Sequence, residues 1–390
     1  MLKGIVTGDW HLDRFNRLDD MAKCVDFAID EAIRRKVDVF VHTGDLYRTW
    51  HPAPIEMAVF HRITRLARAG IKTYVVIGNH DWPESEEYKR THCATELKSL
   101  DSGIRVMDAP EVVGVSSGAG PAGLPAVDFL FMPHVPKAEL QRSGLTYDQW
   151  YKATLDGMVK SSFVNARVLF SHAYVREAAV GPHDLVVEND RQIALATLQH
   201  PGLAAVFLGD IHKAQRLSLE PVVIYPGSLD RVDFGEADDP KGITYFEVGG
   251  SGAQPTILTE FIPTQARRFV HIVADVTGTD RDLQAAAEDE VRKADVADAV
   301  VKITVRCDAG RKDQINEDAL RSIVAERGAA RLRSLNFDVG AVRVARAPEI
   351  GENMSAAGAL PLWVAMQKYP SKGTEDAVLA RGRKLIGVEG

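Results

Sequence analysis

Five short runs carry side chains able to hold divalent cations: Asp9 with His11, Gly44 with Asp45, Gly78-Asn79-His80-Asp81, His172, and Asp210 with His212. Asp9 and His11 lie two apart on an extended segment, and strand side chains alternate with period two, so both reach the same side. Asp210 and His212 repeat the device. Asp45 follows Gly44, whose missing side chain lets the backbone approach closely and leaves the carboxylate free to bridge two ions. Asn79 offers a neutral carbonyl oxygen, and His172 an imidazole nitrogen. Three Asp, three His and one Asn suit Mn²⁺, Fe²⁺ or Mg²⁺ better than structural zinc, which prefers thiolates in a closed tetrahedron. Mn²⁺ is the first choice. Two such ions about 3.5 to 4 Å apart stabilise both the attacking and the leaving oxygen of an in-line displacement at phosphorus. The chemistry expected is phosphoester hydrolysis without a covalent enzyme intermediate. A single Asp-x-His arises often at surface turns by chance, so the weight rests on five runs in order, each at the end of a strand-like stretch.

Those runs need a scaffold that brings distant segments together. Gly4 to Gly8 reads as a buried strand, Met21 to Lys36 as a helix with Met21, Val25, Ala28, Ile29 and Ile33 on one face, and Val37 to His42 as a second strand. Ile55 to Ala69 repeats the helical pattern and Thr73 to Ile77 the strand, giving β-α-β-α-β. Strand-like runs recur at Val127 to Met132, Val168 to Phe170, Ala205 to Leu208 and Val222 to Tyr225, and Gly242 to Glu247 reads as an edge or return strand. In an open α/β sheet the loops after the carboxyl ends of strands converge on one crevice, which is where these residues would meet. From Arg268 the order changes to strand, helix, strand, helix, strand, ending at Val344. A Pro- and Gly-bearing linker follows, and then two short amphipathic helices between Leu360 and Ile386.

At 390 residues the chain exceeds one ordinary core, so a large domain with smaller pieces is expected. Cys24, Cys93 and Cys307 lack CxxC spacing and suggest neither disulfides nor structural zinc. A net charge of -7 excludes coating nucleic acid by charge alone, so any nucleic-acid site must be local, with metal ions supplying positive charge. No stretch approaches the roughly 20 apolar residues of a membrane span. Met1 leads straight into a strand, and the expected location is the cytoplasm, the host's if the gene is carried by a phage.

The order D-x-H, G-D, G-N-H-D, lone His and final x-x-x-H resembles calcineurin-like metallophosphoesterases over residues 1 to roughly 235. Within that superfamily, Gly8-Asp9-Trp10-His11-Leu12, Tyr225-Pro226-Gly227-Ser228 and Phe234-Gly235-Glu236 resemble the SbcD-type nuclease, the bacterial and phage counterpart of the meiotic recombination nuclease. The resemblance implies an α/β fold. Residues 1–262 would form a layered phosphoesterase domain with mixed β-sheets flanked by helices, and 265–347 a small α+β capping domain facing DNA. Residues 348–358 would be a linker, and 359–390 a helical tail docking on an SMC-like coiled-coil ATPase of the SbcC type. It further implies a Mn²⁺-dependent 3′ to 5′ duplex exonuclease and single-strand endonuclease, acting as a homodimer in DNA break processing, recombination or replication. Carried across, it sets Asp9, His11, Asp45 and His212 around one ion and Asp45, Asn79, His172 and Asp210 around the other. His80 is left to protonate the leaving oxygen or stabilise developing charge.

Two positions depart from the family pattern. Its last motif is usually Gly-His-x-His, and here it reads Gly209-Asp210-Ile211-His212, for which altered metal preference is expected rather than an empty site. Arg48 stands where some members carry a phosphate-positioning histidine, and its guanidinium suits bidentate contact with phosphate. The other histidines, His42, His51, His61, His92, His134, His183, His200 and His271, are read as structural or exposed, with His42 close enough in sequence to support the site. Arg62, Arg65, Arg68 and Lys72 read as a solvated helix face; Arg331, Arg333, Arg343 and Arg346 are weaker candidates for a DNA-facing surface. Two alternatives stay open: a phosphodiesterase or phosphatase for small nucleotides or phosphoproteins, and an inactive DNA-end-binding scaffold.

Overall fold

Parallel strands buried on both faces read as unbroken apolar runs, and this chain uses such runs to build two sheets that pack on each other. The structure, a computed structural model, describes residues 1–12, 17–48, 53–82, 92, 94–99, 103–116, 127–162, 164, 166–180, 191–249, 255–279, 281–339 and 354–387. His51, Cys93, His183, Arg343, Arg346 and linker residues 348–353 lie outside them.

The elements begin with β1 (Leu2–Thr7), α1 (Leu18–Arg35), β2 (Val39–His42), α2 (Ala53–Arg68), β3 (Lys72–Val76), β4 (Ile104–Met107), β5 (Glu111–Val115) and β6 (Val127–Met132). They continue with α3 (Lys137–Ser143), α4 (Tyr147–Ser161), β7 (Arg167–His172), β8 (Tyr174–Val175), β9 (Gln192–Ile193), α5 (Leu195–Leu198), β10 (Ala205–Gly209), β11 (Gln215–Leu219), β12 (Val222–Tyr225), β13 (Gly242–Gly249) and β14 (Thr256–Pro263). Then come β15 (Phe269–Asp275), α6 (Leu283–Lys293), β16 (Val300–Cys307), α7 (Glu317–Glu326), β17 (Arg331–Val339), α8 (Ala356–Ala365) and α9 (Lys372–Leu385).

One sheet has the order β14-β13-β1-β2-β3-β4 and the other β11-β12-β10-β7-β6-β5. β1 to β4 run parallel, as do β6, β7, β10 and β12, and antiparallel strands complete each sheet. β13, expected as an edge or return strand, is the return strand, held between β1 and β14. The period-two alternation sorts side chains between layers. Val6, Val39, Val41, Tyr74 and Val76 of the first sheet meet Phe129, Phe131, Phe170 and Phe207 of the second in one core. Ile5, Phe40 and Val75 turn the other way, onto Val25, Ala28, Ile29 and Ile63 of α1 and α2. Leu130, Met132, Leu169, Val206 and Leu208 likewise turn outward onto Tyr151, Leu155 and Met158 of α4. The result is four layers, α/β/β/α, as the expected mixed sheets flanked by helices require.

The chain divides into two compact units, Met1–Ile272 with Arg292–Ile303 and Arg321–Ser334, and Val273–Val291 with Thr304–Leu320 and Leu335–Gly390. β15, β16 and β17 form a three-stranded sheet in that order. The last strand, expected from Leu335, begins four residues earlier, at Arg331. Near the C-terminus α8 and α9 pair through Leu360, whose side chain lies where a Cβ on Gly382 would sit. Ser355 and Ser371 cap the two helices by accepting from the Gly358 and Thr374 amides. α8 begins at Ala356, inside the stretch expected as linker.

Candidate metal centre

The segments after β1 and β2 continue side by side beyond their strands, with the Asp9 amide donating to the Gly44 carbonyl (2.9 Å) and the His11 amide to the Asp45 carbonyl (3.1 Å). Gly8 and Ser228 form a parallel bridge that ties the end of β1 to the turn after β12. This brings the ends of strands from both sheets to one rim. Asp9, His11, Asp45 and Asp210 all have positive φ, 51°, 45°, 59° and 100°. That region is sterically disfavoured for residues with a Cβ, and at functional sites it marks side chains aimed by the surrounding fold. Gly44, at φ 111°, cannot be replaced cheaply, because its Cβ would stand 2.2 Å from His172 Nδ1.

All seven expected ligands come together. His11 Nε2 is 2.9 Å from His212 Nε2 and 3.6 Å from Asp45 Oδ2. On the other side of Asp45, His172 Nε2 lies 3.6 Å from Oδ1, 3.5 Å from Asp210 Oδ1 and 2.8 Å from Asn79 Oδ1. Asp45 therefore turns one oxygen to each histidine. Asp9 stands with His11 and His212 in one group of ligand atoms, and with Asp45 and His172 in another.

Asp9, His11, Asp45 and His172 are buried, and Asp9 Oδ2 and His11 Nδ1 have no hydrogen-bond partner among the described residues. Burial, reinforced by the Asp45 charge, pushes the Asp9 carboxyl up to about 6. Burial and the His212, His80 and Arg48 charges hold His11 well below the usual imidazole range. For His172 and His212 burial acts downward but loses. The Asp45 and Asp210 carboxylates raise His172 well above its usual value, and Glu236 with Asp9 raises His212 to about 9. Converging hard oxygens and imidazole nitrogens, with buried carboxylates among them, fit divalent cations, which would offset the carboxylate charge.

His80 is exposed beside the cluster, its ring 5.0 Å from that of His11. Its amide donates to Asp45 Oδ1 (2.9 Å), and its Nδ1–H donates to the Arg48 carbonyl (2.9 Å). Arg48 thus reaches the site first through its main chain. Arg62 and Arg65 are occupied by Asp26 and Asp30 of α1, and Lys213 by Asp239 at 3.7 Å.

Four further residues shape the site without having been assigned roles from the sequence. Asp81 accepts from the Gly78, Asp45 and Leu46 amides at 2.9, 3.0 and 3.0 Å, clamping the turns after β2 and β3 together. Its place in Gly78-Asn79-His80-Asp81 was the available signal. Glu236 accepts from His212 Nδ1 (2.7 Å). His134, read as structural or exposed, follows β6 onto the same rim and accepts from Arg191 Nη1 (2.7 Å). Burial and that guanidinium push His134 down to about 3, with the His172, Asp210 and His80 charges also acting on it. Nothing local in the sequence marks His134 or Arg191; only the second sheet brings them here. His42 stays buried behind the site, accepting from the Gly44 amide (3.2 Å), with its ring edge-on to Trp10.

Comparison with known proteins gives four findings. Residues 2–214 match the family described as calcineurin-like phosphoesterase. The protein named DNA double-strand break repair protein Mre11 from Halobacterium salinarum is 26% identical over 87% of this chain and 80% of its own length. The SbcD component of nuclease SbcCD from Staphylococcus saprophyticus is 25% identical over 70% of this chain and 71% of its own. Among solved structures, a dimetal phosphatase from Danio rerio aligns over 66% of this chain and 98% of its own, at 14% identity and a TM-score of 0.40.

Proposed function

This chain belongs to the calcineurin-like phosphoesterase family, which matches it over more than half its length, and from that premise we propose that it is a metal-dependent nuclease of the SbcD type, hydrolysing the phosphodiester backbone of DNA. The observation that carries the reading is the convergence of Asp9, His11, Asp45, Asn79, His172, Asp210 and His212 on one rim, with Asp45 turned to both halves. The names of the two relatives above, one a DNA-break repair protein and one a nuclease component, support DNA as substrate.

In this reading Asp9, His11, Asp45 and His212 hold one divalent ion, and Asp45, Asn79, His172 and Asp210 the other, with Mn²⁺ preferred over Mg²⁺ or Fe²⁺. When bound, such a pair stabilises the attacking and leaving oxygens of an in-line displacement. The chain's own part is positioning and proton handling. Asp81 fixes the turns that carry Asp45 and Asn79. His80, whose Nδ1–H donates to the Arg48 carbonyl, has Nε2 left free, and as the doubly protonated ring it would pass the Nε2 proton to the leaving oxygen. The Arg48 guanidinium contacts the substrate phosphate.

The activity extends to 3′ to 5′ degradation of duplex ends and cutting of single strands, in break processing, recombination or replication. Residues 1–262 form the nuclease domain, 265–347 a capping domain that contacts DNA, and 359–390, with the first turn of α8 from Ala356, a docking tail, which shortens the linker to 348–355. That tail exposes Leu362, Trp363, Met366, Leu385 and Ile386 on α8, α9 and just beyond, which supports docking on an SMC-like ATPase. Two copies act together in the cytoplasm. Among the described residues no helix is long and apolar enough to cross a membrane.

The test is cleavage of an end-labelled linear duplex with Mn²⁺ or Mg²⁺, comparing wild type with His80→Ala and running bis-p-nitrophenyl phosphate in parallel. Release of mononucleotides by wild type, slowed about 10²- to 10⁴-fold in His80→Ala, is expected. Turnover of the small diester with no attack on DNA, even with an SMC-like ATPase added, moves the function to small-substrate phosphodiesterase.

A further inference from the structure

Behind His212 lies a buried ion pair for which the phosphoesterase reaction has no direct use. Glu236 ends the short turn Phe234–Glu236, itself capped by Asp233 accepting from the Gly235 amide. One Glu236 oxygen, Oε1, accepts from His212 Nδ1 at 2.7 Å. The other, Oε2, accepts from Lys241 Nζ at 2.7 Å and from the Val232 amide at 3.0 Å. The Lys241 side chain is 1% exposed and also donates to Ser228 Oγ (2.9 Å) and to the His212 carbonyl (3.1 Å). Its three donor bonds match the three protons of an ammonium group. Nothing in the cluster is left to chance: backbone, hydroxyl and carboxylate fix Lys241, Lys241 fixes Glu236, and Glu236 fixes the His212 ring.

Burying a Lys–Glu pair costs desolvation that an apolar pair of similar volume would avoid, so stability alone is a weak reason to keep one. What the pair supplies is direction. A carboxylate bonded to Nδ1 holds the proton there, leaves the Nε2 lone pair free, and makes that nitrogen a stronger donor to a cation. Nε2 is the His212 atom that faces His11. His172, in the other half of the centre, is backed differently, since its Nδ1 donates to the uncharged Thr43 carbonyl at 2.9 Å. The two halves of the centre therefore differ in what stands behind their imidazoles.

We propose that Glu236, locked by Lys241, is a positioning residue that sets His212 as a ligand for the ion shared with Asp9 and His11, and that it governs this ion without governing the other. The inference rests on the two-ion reading above but not on DNA being the substrate.

The experiment is Mn²⁺ binding to the chelator-stripped full chain, followed by calorimetric titration and by the electron paramagnetic resonance signal of free Mn²⁺, without DNA. Glu236→Gln alone strands a buried ammonium and endangers folding, so the decisive variant is Glu236→Gln with Lys241→Met, which keeps an acceptor oxygen toward Nδ1 and removes both charges. Wild type is expected to bind two ions. The double variant is expected to bind one of them 10- to 100-fold more weakly and the other unchanged, with its metal-free melting temperature close to wild type. His212→Ala should weaken the same step at least as much, and adding the two substitutions to His212→Ala should cost nothing further there. Wild-type binding of both ions by the double variant, or additive losses with His212→Ala, overturns the proposal, as does a wild type that binds fewer than two. A protein that binds two ions with the expected pattern yet leaves DNA intact sinks the nuclease reading and leaves this one standing.

Discussion

Asp81 is not among the expected ligands, yet it accepts three backbone amides from the turns that carry two of them. Asp81→Ala leaves those amides buried without that acceptor, at about 1–3 kcal/mol for each one that finds no substitute. A loss of at least about 2 kcal/mol in urea unfolding is expected, together with weaker Mn²⁺ binding. Unchanged metal affinity in a destabilised variant would show that the turns keep their geometry without the clamp. The legibility of the site follows the same division. Asp9, His11, Asp45, Asn79, His172, Asp210 and His212 were readable because their donor chemistry and strand-end placement repeat along the chain, whereas the role of His80 came only from the family resemblance. Asp81 and Glu236 sat inside recognisable motifs, but a carboxylate that serves amides or an imidazole looks, in sequence, like any other.

Among the elements, those buried on both faces announced themselves. β6 and β12 begin and end where the sequence puts them, and β1, β2, β3, β7 and β10 shift by one or two residues at most of their ends. β5, β11 and β14 went unread, because each is an edge strand with an exposed face and few apolar residues in succession. α4 also went unread despite a legible start, the Thr146–Gln149 capping box. The first turn of α1 gives a test at this scale. Arg267 grips Asp20 through two bonds of 2.8 Å, and that contact, followed by the charges of Arg267 and Arg17, holds the Asp20 carboxyl below its ordinary 3.8 despite partial burial. A lowered carboxyl contributes stability that is complete above its unfolded value and is lost as pH falls through the folded one. Wild type should therefore exceed Asp20→Asn by roughly 1 kcal/mol at neutral pH, after allowing for solvent screening, and the gap should close below about pH 4. A gap that persists in acid would assign the contribution to packing or uncharged hydrogen bonding.

For the molecule as a whole, metal and fold are linked, because the centre joins the rims of both sheets and buries Asp9 Oδ2 and His11 Nδ1 without a hydrogen-bond partner among the described residues. An ion that binds only the folded chain stabilises it by ~2.7 kcal/mol per site when present at about a hundred times its dissociation constant. Mn²⁺ should raise the melting temperature by several degrees and chelation should reverse the gain; a midpoint indifferent to both would mean that the cluster holds no ion. The left-handed backbone at Asp9, His11, Asp45 and Asp210 carries a consequence on a longer timescale. Each such residue stores about 1–3 kcal/mol, the same order as the gain from one fully buried phenylalanine of the sandwich core. Glycine would relieve that strain at any of the four. A laboratory selection for heat tolerance would therefore pull in opposite directions with the medium: under chelation it would favour glycine at these ligands, and with Mn²⁺ supplied the stability that the ions add would hold the strained residues in place.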